Sequence, residues 1–227
     1  MSRRVGTVLA VAFALTYNNW VLWPLNGDPR VLAGFLSELG AATQPFHTVF
    51  RNLDILAGLL LLVTIAWGRH RWAGRLAPPR VTRWVVVLLT VFAVGAITDA
   101  SVPMTCSATL DPGCPTFVDP RDWPLNQWAH SIVSVVLESA LVASMALVAL
   151  RGSQRWRRPA RIALAISISA HLTMLVLAAT WQGEAVPQMV LMLTQGAWII
   201  LLGRAGDRPT PVLPRAEGPQ ARRSTTR

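Results

Sequence analysis

Residues 129–150, AHSIVSVVLESALVASMALVAL, form a run of apolar and small residues interrupted by a single acid, Glu138, near the middle. A soluble helix of this length shows a polar stripe, and a strand is much shorter. The run therefore reads as a membrane span, which takes about 20 apolar residues. Five other stretches read the same way, roughly Val5 to Leu22, Phe46 to Trp67, Trp84 to Thr98, Ile162 to Trp181 and Val186 to Gly203, and the run itself begins at Gln127. The Trp84 stretch is short unless Val81 to Arg83 and Asp99 to Val102 lengthen it. A chain that is 52% hydrophobic and 14% charged is too apolar for a soluble domain. The expected fold is an all-α, polytopic bundle of six transmembrane helices over residues 1–205. A basic tail follows over residues 206–227, rich in Pro, Arg and Gly, with the composition of a disordered segment.

The net charge of +10 comes from 21 arginines and no lysine. A nucleic-acid partner would fit that number, but basic clusters separated by apolar 20-mers do not make a nucleic-acid face. Eighteen of the arginines fall before the first span, between the second and third, between the fourth and fifth, or after the sixth. Arg30, Arg51 and Arg121 fall in the other connections. Basic loops stay in the cytoplasm, so both termini are expected there, in the inner or plasma membrane. Tryptophans would mark the interfaces: Trp20, Trp23, Trp123, Trp128 and Trp181 on the outer side, and Trp67, Trp72, Trp84 and Trp156 on the inner side. The first span lacks a small-x-small cleavage site and reads as an uncleaved helix.

This topology puts both cysteines, Cys106 and Cys114, in an outer loop, where two cysteines eight positions apart with Pro and Gly between them can close a small disulfide ring. The same side collects Glu38, His47, Asp54, Asp99, His130 and Ser134 as candidate ligand-binding residues. Arg51 and Asp54 are three apart and can pair on one helix face, the structural alternative to a site. Deeper in the bundle Glu138, His171 and Gln195 come to similar depth from three spans. They read either as a hydrogen-bonded clamp or as a proton relay. On the fourth span His130, Ser134 and Glu138 follow i, i+4, i+8, a polar seam from the outer side toward the middle.

The stretch LSELGAATQPFHTVFRNLDILAGLLLL, through Ser37, Glu38, Leu39, Pro45, Phe50, Asp54 and Gly58, resembles a bacterial six-span family known as domain of unknown function 998. Asp99, Pro103, Cys106 and Cys114, followed by His130 and Ser134, resemble its second signature. The resemblance covers most of residues 30 to 140 and implies a fold and topology rather than an activity. A looser likeness to intramembrane metal hydrolases of the ceramidase and adiponectin-receptor type stops at two departures. Those enzymes have seven spans and an HxxxH pair, and this chain has six spans and no HxxxH.

Three functions follow as expectations. The favoured one is a non-enzymatic membrane protein that binds a lipid headgroup or small ligand in a polar pocket at the extracytoplasmic face, with membrane lipids as partners. The second is a metal-dependent lipid hydrolase, with zinc on His130 and Asp99, His47 or Asp54 completing the site and Glu38 as general base. The third is a proton-coupled transporter using Glu138 and His171. No dinucleotide, Walker or haem-attachment motif is present, so no cofactor is expected.

Overall fold

The computed structural model describes residues 4–115, 121, 123–180 and 183–207. Six helices run up and down within it: α1 Val5–Tyr17, α2 His47–Trp72, α3 Pro79–Ser101, α4 Leu125–Arg151, α5 Gln154–Thr180 and α6 Ala185–Asp207. All six are long and apolar enough to cross a membrane, α1 together with its continuation to Asn26. No strand occurs among the described residues; Ala73 and Ala77 make one isolated bridge. The third span is full length, because Pro79 opens its first turn and the helix carries Asp99 inside its last. Residues 208–227 and Trp181 lie outside the described residues, and α6 continues two residues past 205.

Each helix packs against the next, and α6 returns to α1, so the bundle is a closed ring. Two glycines make the closure possible. A Cβ on Gly203 would stand 2.4 Å from the carbonyl oxygen of Gly6, backbone that cannot swing aside. Asp207 then finishes the seam by capping α1. It accepts from the Gly6 N–H at 2.9 Å, the Thr7 N–H at 2.7 Å and the Thr7 hydroxyl at 2.5 Å. A carboxylate on those unsatisfied N–H groups also meets the positive end of the helix dipole.

The arginine-rich end is filled by indoles. Trp72 is fully buried and donates its Nε1–H to the Leu202 carbonyl at 2.8 Å. Trp156 is also buried, whereas Trp84 stays on the surface. Trp72 and Trp156 are therefore core residues rather than the interfacial anchors expected of them, because the bundle itself offers room for the rings and, for Trp72, a carbonyl.

The opposite end is roofed. Residues 19–46 form three short 3-10 turns, Asn19–Asn26, Pro29–Ala33 and Leu36–Gly40. Val31, Leu36 and Leu39 pack on Phe50 of α2 and Ala185 of α6. The Leu36 N–H donates to Gln188 Oε1 at 2.7 Å, and Ala42 N–H to the Met104 carbonyl at 2.9 Å. These bonds tie the roof to α6 and to the loop after α3. Removing the cap that closes the ring gives a direct stability prediction. Asp207→Ala is expected to cost about 0.5–2 kcal/mol, and Gly203→Leu clearly more, both read as loss of thermal stability in detergent.

Candidate functional site

The Cys106–Cys114 disulfide is present, with Cα atoms 5.9 Å apart. What fastens its loop is Glu38, which is buried and accepts four hydrogen bonds. They come from the Phe35 N–H at 3.1 Å, the Thr109 N–H at 2.9 Å, the Thr109 hydroxyl at 3.0 Å and the Ser107 hydroxyl. Gly34 leaves the space for this, since a Cβ there would lie 2.3 Å from Glu38 Oε1. Glu38 is therefore committed to holding the roof and the disulfide loop together.

Beneath the roof lies a cavity of about 400 Å³. Its polar lining includes Asp54 of α2, Asp99 of α3, His130, Ser134 and Glu138 of α4, and His171 of α5. The outer group and the mid-span group expected from the sequence thus face one space. Glu38, His47 and Glu184 are not among its lining residues. Gln195 joins indirectly, through its hydrogen bond to Glu138. Tyr17 and Asn19, which sequence reading passed over, both line the cavity and bond to its acids. Their signal was faint: a tyrosine and two asparagines at the end of an otherwise apolar span.

Each acid has partners. Asp54 Oδ1 accepts from Asn19 Nδ2 at 2.5 Å. The expected pairing of Arg51 with Asp54 is not made; Arg51 Nε donates to the Ala100 carbonyl at 2.8 Å. Residues three apart can meet on a helix, but here tertiary partners lie better placed for both. Asp99 Oδ1 accepts from the Ser134 hydroxyl at 2.8 Å and stands 3.2 Å from His130 Nδ1. That nitrogen is also 3.2 Å from the Val102 carbonyl and 3.4 Å from the Asp99 carbonyl. Three oxygens around Nδ1 make it the donor, so in the neutral ring Nε2 is an acceptor.

Deeper in, Glu138 ties three helices. Its carboxyl meets the Tyr17 hydroxyl at 3.1 Å and the Gln195 amide, and Tyr17 meets Gln195 Oε1 at 2.6 Å. His171 Nε2 lies 3.7 Å from Glu138 Oε2, while His171 Nδ1 donates to the Ser167 carbonyl at 2.8 Å. Hydrogen bonds thus join α4 to α1 and α6, while His171 of α5 stands beside the carboxyl without a hydrogen bond to it.

The cavity also has a side opening. Of its described lining residues, Val135, Ser139 and Leu175 are exposed, Val135 by 67% and Leu175 by 65%. All three lie on α4 and α5. The α5 segment is the least covered of the six spans, with 17% of its apolar window buried and at least 33% in each of the others. The opening is therefore a cleft between α4 and α5, on the flank that an apolar span turns to lipid.

No group of three or more His, Cys, Asp and Glu side chains among the described residues is arranged to hold a metal ion. Of the residues expected to hold zinc, His130, Asp99 and Asp54 line the cavity without such an arrangement and His47 stands outside its lining, while Glu38, the expected general base, is occupied in the roof.

The family model described as "Protein of unknown function (DUF998)" matches residues 5–205. No curated protein and no solved structure matches the chain.

Proposed function

The chain belongs to the DUF998 family, and from that premise we propose that it binds a lipid-like amphiphile, polar end in the cavity and chain in the α4–α5 cleft. The observation that carries this reading is the combination of a polar interior with an apolar sideways mouth. The exposed lining residues lie on the α4–α5 flank rather than in the roof. A molecule already dissolved in the bilayer reaches Val135 and Leu175 directly. The volume, about 400 Å³, lies in the range of small-molecule sites.

Two arguments set the orientation. Along the sequence, eighteen of the 21 arginines fall before the first span, in the second-to-third and fourth-to-fifth connections or after the sixth span, and we place those segments in the cytoplasm. The disulfide loop and roof then face the extracytoplasmic side of an inner or plasma membrane, where disulfides persist.

A second reading, the proton-coupled transporter, draws on the Glu138 triangle. Its three contacts need three donated hydrogens. The Tyr17 phenol supplies one and the Gln195 amide one, whichever way the amide is turned. The third sits on Glu138, and His171 stands beside it to take it. Proton-driven transport by vesicles carrying Glu138→Gln at the parent rate would contradict this reading.

The binding reading is tested by native mass spectrometry of protein extracted in mild detergent. Retained amphiphile is expected on the parent chain. A several-fold loss is expected on a Val135→Trp, Leu175→Trp variant that fills the cleft without lowering thermal stability. Retention unchanged by the filled cleft would refute lateral entry.

A further inference from the structure

Resting on the amphiphile reading, the geometry points to a headgroup that is a hydrogen-bond donor and a cation: a protonated amine, as on a long-chain primary amine or an aminolipid. The lining acids keep acceptors unfilled. Asp54 uses Oδ1 on Asn19, and Asp99 uses Oδ1 on Ser134 and His130; Oδ2 of each acid has no partner among the described residues. His130 is buried, its Nδ1 is engaged as a donor to three oxygens, and its Nε2 has no partner among the described residues. Three acceptors are left over in a space lined by carboxyls from three helices. A donor on the ligand can fill them.

Charge argues in the same direction. The described lining residues include three acids and two imidazoles but no arginine. The two nearby arginines are engaged elsewhere, Arg30 with Asp28 at 2.6 Å and Arg51 with the Ala100 carbonyl. The Arg30 guanidinium holds the Asp28 carboxyl below the usual carboxylate range, outside the spans and away from the site. An anionic headgroup would find no arginine in the lining to pair with, whereas an ammonium can pair with the carboxyl of Asp54 or Asp99. A primary ammonium also carries three N–H donors, which a quaternary ammonium lacks.

The sideways mouth requires the amine to carry a chain. Water-soluble ammonium has no advantage at an opening lined by Val135 and Leu175.

The test is equilibrium binding to the purified full chain with four probes: dodecylamine, dodecanol, dodecyltrimethylammonium and ethanolamine. Dodecylamine is expected to bind about tenfold or more tighter than each of the others. Asp99→Asn, which keeps the side-chain shape and an acceptor for Ser134, is expected to remove most of that preference. Dodecanol binding is expected to change several-fold less than dodecylamine binding, with thermal stability read as the control for folding. Asp54→Asn serves as the second variant should Asp99→Asn fold poorly. Dodecanol or the quaternary probe binding as tightly as dodecylamine would overturn the amine headgroup while leaving an amphiphile site. Ethanolamine binding as tightly as dodecylamine would overturn the requirement for a chain. Failure of every dodecyl probe to bind would overturn the amphiphile reading itself.

Discussion

A bilayer interior offers no hydrogen-bond partner, so every polar side chain on these helices must find one inside the bundle. Most of the arrangement follows from that. Glu138 sits in the middle of an apolar helix and is answered by Tyr17, Gln195 and His171 from three other helices. Asp99 is answered by Ser134 and His130, and Asp54 by Asn19. Because each pairing joins different spans, meeting the needs of the acids also sets which helices face one another. A cavity remains where the polar groups converge without filling the space between them.

The ring and the roof give that cavity its shape. Gly6 and Gly203 let α1 and α6 meet, and Asp207 caps α1 across the seam, so the circuit closes on that side. The roof closes the end through Glu38, which holds the disulfide loop by its Ser107 and Thr109 donors. The flank between α4 and α5 is what is left open. An amphiphile would thus meet a rigid frame with one lateral entrance, and its polar end would travel toward acceptors already held in position by their own partners.

Much of the fold was legible because its signals are one-dimensional. Span length, the sorting of arginine and the cysteine spacing can be counted along the chain, and depth along a helix predicted that Glu138, His171 and Gln195 would meet. Direction around a helix was far less legible. Spans that are apolar on all sides carry no stripe to show which face turns inward, so the α4–α5 cleft left no mark in the sequence. His47 shares a face of α2 with Asp54 but stands about two turns nearer the helix end, and Glu38 belongs to the roof, so both read as members of a site they do not line. Local spacing suggested that Arg51 pairs with Asp54; the Ala100 carbonyl and Asn19, distant in sequence, took those roles. Asp207 read as the start of a polar tail, yet its cap on α1 spans two hundred residues.

Photo-crosslinking in native membranes addresses the lateral entrance most directly. A photoreactive side chain at Val135, which lines the cleft, is compared with one at Ile132, one turn away and exposed by 57% without lining the cavity. Saturable lipid adducts at position 135 that an added alkyl amphiphile competes away, against unsaturable background adducts at 132, are what a side-opening binding site produces. Equal, uncompeted labelling at both positions would mean that the cleft is ordinary lipid-facing surface.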